Sequence, residues 1–402
     1  MANQSCCAGS SARKGTASGC CGAAAIKPGA VAGSRKRTGA REAQATSGGS
    51  PCGCAGREEK YIAVPAEQAQ TPAGTVPRVP TKLAFTDILG AWKCRWSIGR
   101  MEYAVKPGLY CAGNPGEQSP VLVSANYKLS FDRLRKELSG LDAWILVLDT
   151  DGINVWCAAG KGTFGTEELV YRIKETGLSK VVSHRTLILP QLGAAGVAAH
   201  EVRRRSGFHV EYGPVRARDI KAYLAAGMKA TEEMRTMRFP FGDRLALTPV
   251  ELVAAIKPVV IAFGVMFMFN ALGLGRYGII DLYALLGAVF IGAVVTPALL
   301  PWIPGRAFSF KGFLTGFLWA AGVNLINGFP AAPEYGFLKA WAYMLLLPAL
   351  SSFLAMNFTG SSTFTSLSGV DREMKIALPL MIASAGLGII LMLAGDFVRA
   401  LG

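Results

Sequence analysis

The second half of the chain carries five apolar runs, at about 250–274, 282–303, 313–329, 337–358 and 376–398, more than a water-soluble core can absorb. An α-helix of about 20 apolar residues matches the hydrocarbon thickness of a bilayer, and each run is roughly that long, the third being the shortest. The runs therefore predict an all-α transmembrane domain of five helices over 241–402. Mean hydropathy of +0.32 with 51% apolar residues agrees with a membrane part. Arg306 and Lys311 follow the second run and Arg372 and Lys375 precede the fifth, on the side of the preceding region. By the positive-inside rule that side is cytoplasmic, so a multi-pass protein of the cytoplasmic membrane is expected, with its C-terminus on the opposite side. Asn270, Asn324 and Asn327 read as helix contacts rather than a transport path, for want of buried charge beside them.

Residues 249–402 hold 8 Lys/Arg against 6 Asp/Glu, which leaves +13 of the formal +15 to the first 248 residues. Beside a membrane, such a bias reads as that of a cytoplasmic domain, and no nucleic-acid partner is expected. Residues 1–60 are rich in Gly, Ala, Ser, Lys and Arg and poor in large apolar side chains, which predicts a disordered basic tail. Its Cys6-Cys7, Cys20-Cys21 and Cys52-Gly-Cys54 match no finger or cluster spacing. Paired thiols of this kind suit accessory soft-metal capture, set against a neutral tail. The nine cysteines follow no secretory signal, so reduced thiols and a cytoplasmic N-terminus are expected.

Residues 61–240 read as one α/β domain with an N-terminal lead-in. From 75 to 120 no periodicity emerges; beyond Pro120 it sharpens. Strands are expected at 121–124, 144–148, 180–183, 187–189 and 208–211. Helices are expected at 131–138, from Thr166 as cap, and at 197–205 and 218–226. The alternation implies a mostly parallel, Rossmann-like sheet, in which ligands bind beyond the carboxyl ends of the strands. The segments to watch are 124–126, 149–161, 183–193 and 212–215. Residues 231–247 form a basic, amphipathic connection suited to a membrane surface.

One of those segments, Asn154-Val155-Trp156-Cys157-Ala158-Ala159-Gly160-Lys161, follows a buried strand and the turn Asp149-Thr150-Asp151-Gly152. Taken alone, Cys157 is better read as a small packing residue. Its setting changes the weighing, because one flat indole among alanines and glycines lets a broad ligand approach the backbone. A dinucleotide fingerprint is excluded, since Gly160, Gly162 and Gly165 follow the cysteine stretch rather than the strand end. A phosphate loop is excluded because Val155 stands where its first glycine belongs and Gly162 separates Lys161 from Thr163.

The stretch from Asn154 to Gly165 resembles the cap-helix motif of the mercury-methylating corrinoid proteins, membrane-bound relatives of the corrinoid iron-sulfur protein large subunit. The likeness extends to Val123-Ser-Ala-Asn-Tyr-Lys128, Val182-Ser-His-Arg185, 187–194, Tyr212-Gly-Pro-Val-Arg216 and the five runs, and covers about 76–402. It implies that the α/β domain binds a base-off corrinoid (a cobalamin) with Cys157 as lower axial cobalt ligand. Asn154, Val155, Trp156, Ala158, Ala159, Gly160 and Lys161 would form the cap. Ser124, Asn126, Thr150, Ser183, His184, Gln191, Gly193, Tyr212 and Gly213 would be further cofactor contacts. The Asp-x-His-x-x-Gly motif of common cobalamin methyltransferases is missing, and His184, His200 and His209 read as structural or ring-edge residues.

The implied activity is methyl transfer to Hg(II), giving methylmercury. Because Hg(II) is an electrophile, the methyl group must leave with its bonding electrons or by a radical route, which an anionic sulfur opposite it favours. The chain has no iron-sulfur cluster motif. Electrons must then come from a partner, which the resemblance implies is a ferredoxin-like protein with two [4Fe-4S] clusters, with a methyl donor from methyltetrahydrofolate-dependent metabolism. Two other functions remain open: a membrane-tethered corrinoid methyl carrier of the acetyl-CoA pathway type, and a non-enzymatic metal-binding membrane protein.

Overall fold

The structure, a computed structural model, describes residues 61–330, 336–358 and 367–401, all within one compact unit. The expected basic tail and its cysteine pairs lie outside the described residues.

Seven strands form one sheet: β1 (Glu67–Thr71), β2 (Gly74–Arg78), β3 (Gly108–Ala112), β4 (Val121–Ala125), β5 (Ala143–Leu148), β6 (Thr186–Leu189) and β7 (His209–Tyr212). Their order is β1-β2-β3-β5-β4-β6-β7, with β5, β4, β6 and β7 mutually parallel. Every residue of β4 and β5 is buried, as befits parallel strands covered on both faces. Alternate side chains feed two cores. Val121, Val123, Trp144, Leu146 and Leu148 face one layer with Phe164 and Leu169, and Leu122, Ile145 and Val147 face the other with Phe131 and Leu138. The chain passes from β4 to β5 on one side, then crosses back over β4 to β6. That reversal places the topological switch point between the ends of β4 and β6.

The lead-in is more regular than its sequence suggests. It supplies the antiparallel β1–β2 hairpin, β3 paired antiparallel to β5, and helix α1 (Phe85–Arg95). Helix α2 (Lys128–Glu137) packs on the sheet and binds α1 through buried charge. Lys128 Nζ donates to Asp87 Oδ1 and Asp132 Oδ2, both at 2.6 Å, and Arg135 donates to Asp132 Oδ1 at 2.8 Å and Asp87 Oδ2 at 2.7 Å.

After β5 come α3 (Val155–Lys161), α4 (Thr166–Glu175), α5 (Leu178–Val181), α6 (Ala199–Ser206) and α7 (Ile220–Ala225). Two expectations are corrected here. Residues 180–183 are no strand: α5 ends at Val181 and Val182 leads towards β6. Thr166 is not the cap of α4, which is Gly165; its Oγ1 instead accepts from Ala198 N at 2.9 Å, joining the starts of α4 and α6.

Then follow α8 (Glu232–Arg235), α9 (Phe241–Leu245), α10 (Thr248–Ala271) and α11 (Ile279–Phe290). A π-turn at Ile291–Val295 leads from α11 into α12 (Thr296–Leu299), and α13 (Phe308–Ile326), α14 (Phe337–Asn357) and α15 (Leu367–Leu401) complete the chain. Among the described residues four segments are long and apolar enough to cross a membrane: Phe241–Ala271, Ile279–Leu299, Phe337–Asn357 and Gly369–Val398. The expected third span, α13, is not one of them. Its inward stripe is small or polar, with Ser309, Lys311, Gly312, Gly316 and Asn324 buried, because it packs closely on α14. A Cβ on Gly312 would come within 2.6 Å of Ser351 O, and one on Gly316 within 2.8 Å of Pro348 Cα. α13 nonetheless runs the length of the bundle: Ser309 N meets Glu373 near the start of α15, and Asn324 Nδ2 donates to Ala340 O near the start of α14.

The expectation of no buried charge beside the asparagines is also corrected. Asp281 is 2% exposed, pairs with Lys339 at 2.9 Å and accepts from Tyr343 Oη at 2.6 Å.

Candidate functional site

The end of β5 is converted into α3 by a turn with one buried organiser. Asn126, 1% exposed at the end of β4, accepts through Oδ1 from Thr150 N at 3.1 Å, Thr150 Oγ1 at 2.8 Å and Gly152 N at 3.0 Å. Its Nδ2 donates to Asp149 Oδ1 at 3.0 Å. Glu168 on α4 takes Asp149 N at 2.8 Å, so the turn is held from two sides. Asp151 and Gly152 both have positive φ, 55° and 69°, which reverses the chain sharply enough to start a helix above the strand end.

Asn154 caps that helix, its Oδ1 accepting from Cys157 N at 2.9 Å. Asparagine is among the side chains best suited to this position. The helix ends at Gly162, whose φ of 84° favours glycine. α3 touches both β4 and the Gln191–Gly193 turn beyond β6, so it lies across the switch point. The approach is close. A Cβ on Gly193 would come within 2.5 Å of Phe164 Cε1, and one on Gly196 within 2.2 Å of Phe164 O and 3.0 Å of Ala159 Cα.

Cys157 faces the core, 7% exposed, beside Ile153 and Ala158. Trp156 is half-buried, Gly160 and Lys161 are exposed, and a Cβ on Gly160 would meet nothing within 4 Å. Among the described residues, no three His, Cys, Asp or Glu side chains gather at a metal-sized site. A metal held by Cys157 alone among the described residues would be one that brings its remaining ligands with it, as a macrocycle does. Thr163, just past the helix, has a buried hydroxyl with no hydrogen-bond partner. The donor set and this orphan hydroxyl fit a large ligand that carries its own equatorial donors.

The structure gathers most of the sequence candidates at this end of the sheet. Ser124, Asn126 and Thr150 lie beneath the cap and Gln191 and Gly193 beside it. Gln191 Oε1 accepts from Arg235 Nη1 at 3.2 Å. Tyr212 and Gly213 end β7. Tyr212 Oη donates to Val197 O at 2.7 Å, burial pushing its pKa up, and Gly213 N donates to Leu189 O at 2.8 Å.

Two candidates are not brought there. Ser183 and His184 precede β6, at the amino-terminal edge of the sheet. Ser183 Oγ accepts from Gln118 Nε2 at 2.6 Å. His184 Nδ1 accepts from Thr186 N at 3.2 Å, which leaves Nε2–H to donate to Ser119 O at 2.9 Å, so the ring is a neutral structural link. Reading 180–183 as a strand had put this pair at a carboxyl end. His200 is exposed beside Glu201, and His209 pairs with Glu211 at 2.9 Å. Sequence reasoning missed Arg100, Met101 and Tyr127, which line a cavity of about 10 Å³ against Gly152, Ile153 and Asn154. Arg100 and Met101 lie in the unperiodic lead-in, which gave no local signal for them; Tyr127 lies within the 123–128 motif and was not singled out.

The region that builds this site has known counterparts. Residues 92–224 match the family model of the CO dehydrogenase/acetyl-CoA synthase delta subunit. The chain is 32% identical over 143 residues to the acetyl-CoA decarbonylase/synthase complex subunit gamma of Methanopyrus kandleri, covering 35% of this chain and 30% of that protein. It is 38% identical over 110 residues to the gamma subunit of Methanocaldococcus jannaschii, covering 27% and 22%. The Archaeoglobus fulgidus gamma subunit is 32% identical over 127 residues, covering 31% and 27%. The chain thus spans less than a third of the length of these curated relatives. The family match takes in the sheet from β3 to β7 and the cap helix. The β1–β2 hairpin and α10 to α15 lie outside it.

Proposed function

We propose that residues 61–240 form a corrinoid-binding domain that carries a methyl group, tethered to the cytoplasmic membrane by the helices that follow. The observation that carries this reading is Cys157, a single soft donor on a capped helix across the switch point, inside the segment that matches the acetyl-CoA synthase delta family. When bound, the corrinoid supplies a cobalt centre that takes up and gives away a methyl group. Cys157 would hold its cobalt, as a thiolate. Trp156 and Gly160 would offer the flat, low-relief surface, with Ala158 and Ala159 buried behind it, Thr163 a hydroxyl in need of a partner, and Asn126 the rigidity that holds the cap. A methyl carrier of the acetyl-CoA pathway type agrees with the names of the relatives; its methyl source would be a methyltetrahydrofolate-dependent step and its reductant an iron-sulfur partner.

A second reading is favoured by the donor itself. A thiolate held to the cobalt would donate strongly, chemistry that would suit methyl transfer to an electrophilic acceptor such as Hg(II), giving methylmercury. The resemblance of the cap motif supports this acceptor; the named relatives support the carrier. For the membrane part we propose that α13 crosses with the four apolar segments, shielded by α14. The basic loops then stay with the α/β domain in the cytoplasm, and the C-terminus lies on the other side.

The deciding experiment is an absorption spectrum of the anaerobically purified full chain and of Cys157→Ala. Wild type is expected to carry a corrinoid with sulfur-ligand bands that the variant lacks. An unchanged spectrum in the variant sinks the assignment of Cys157, and a colourless wild type from a corrinoid-supplied host sinks the cofactor. With a loaded protein, methylmercury formed from added Hg(II) separates the two acceptors.

A further inference from the structure

Helix α1 is inside out. Its domain-facing side carries Asp87, Gly90 and Cys94, whereas Phe85, Ile88, Leu89 and Trp92 are 75%, 56%, 38% and 56% exposed. These four recur at i, i+3, i+4 and i+7 and make one continuous stripe. The helix cannot roll to bury them. Asp87 is gripped by Lys128 and Arg135, and a Cβ on Gly90 would already come within 2.5 Å of Tyr103 Oη. Ile98 and Met101, 59% and 50% exposed, extend the apolar surface. A patch of this kind marks a binding face.

Its chemistry points to the occupant. Lys82 and Lys93 are exposed along the stripe, Arg95 follows, and Asp87 is turned inward. The Trp92 and Trp96 rings lie 5.9 Å apart. Phe and Trp among Lys and Arg are the composition of a helix lying in a membrane interface. Its position agrees, because Arg95, Asp243 and Arg216 all lie within electrostatic reach of Arg133. Asp243, paired with Arg216 at 2.7 Å, belongs to α9, which opens the first apolar segment, Phe241–Ala271. On α9, Phe241 and Leu245 are 48% and 42% exposed, so an outward apolar surface is present at the membrane entry as well.

We infer that α1 docks on an anionic lipid surface, with the stripe from Phe85 to Trp92 at the boundary of headgroups and acyl chains and Lys82, Lys93 and Arg95 on the headgroups. The inference rests on the reading of the following helices as membrane-embedded. It ties the bilayer to the candidate site, since Arg100 and Met101, just beyond α1, line the cavity against Asn154.

The test uses the full chain in nanodiscs containing phosphatidylglycerol, with and without brominated acyl chains, and compares wild type with Trp92→Phe. The difference signal belongs to Trp92. Its quenching by about twofold, weakened in phosphatidylcholine alone or by Lys82→Glu with Lys93→Glu, is the expected result. An unquenched Trp92 signal with quenched Trp302 and Trp341 overturns the inference and leaves the membrane reading standing. Quenching of none of them overturns both. A Trp92 signal that ignores bromine but shifts with protein concentration assigns the stripe to a second copy and overturns the lipid assignment.

Discussion

Replacing Asn126 by Ala removes the side chain that makes most of the bonds to the turn beneath the cap helix. Three donors lose their acceptor: Thr150 N, Thr150 Oγ1 and Gly152 N. The hydroxyl can turn wholly to Ile153 O, already 2.8 Å away, so two backbone N–H groups are left orphaned. Each costs about 1–3 kcal/mol when buried, or about 2–6 kcal/mol together; with water entering beside the exposed Asp151, about 2–4 kcal/mol is expected. Hydrogen exchange in the peptide 148–154 of the full chain should then accelerate by about 30- to 1,000-fold. Asn126→Asp keeps the acceptor but loses the donor to Asp149 and sets two carboxylates against each other. Its exchange should fall between wild type and Asn126→Ala at neutral pH and slow further as acid neutralises one carboxyl. Exchange in Asn126→Ala within threefold of wild type would refute the view that this amide fixes the cap.

Gly196→Ala should push α3 off its seat, because the new Cβ meets Phe164 O and Ala159 Cα; about 1–3 kcal/mol of stability and most cofactor retention should be lost, read by thermal melting and by absorbance. Gly160→Ala meets open space and should leave the fold unchanged or up to about 1 kcal/mol more stable. If that face receives the corrinoid, its corrinoid content should nonetheless fall; unchanged content would place the ligand elsewhere. Asp87→Ala leaves Lys128 and Arg135 with Asp132 as their one carboxylate partner and should cost about 3–5 kcal/mol, seen as loss of α1 protection in hydrogen exchange. Burial raises the Asp87 pKa, but the bonds from Lys128, Ala84 N and Arg135 outweigh it and hold the carboxyl below its usual range. A depressed folded pKa stabilises above the unfolded value, so α1 should stay docked above about pH 4 and loosen as pH falls through the lower folded value. Loosening that begins near pH 6 would contradict this.

Much of the molecule was written locally. The runs Val121–Ala125 and Ala143–Leu148 are apolar enough to be strands buried on both faces, and Asn154 before Val155 announces a capped helix wherever it is placed. Signals of this kind lie within a few residues, so the chain order carries them. The motif around Cys157 was legible for the same reason. What only the tertiary structure decided depends on partners far apart in sequence. The pairing of Gly108–Ala112 with β5 is set by register across the sheet and leaves no periodic trace in a strand of five residues whose two large side chains, Leu109 and Tyr110, are adjacent. Asn126 became the organiser of the turn because the sheet brought it to residues 24 and 26 positions away. Ser183 and His184 went to the opposite edge because α5, rather than a strand, precedes β6. The inside-out helix is the clearest case: composition would bury Phe85, Ile88, Leu89 and Trp92, and it took Lys128 and Arg135 on α2 to turn Asp87 inward instead. Local sequence sets what each segment prefers to be, and long-range ion pairs and strand pairing decide which of its faces the protein keeps.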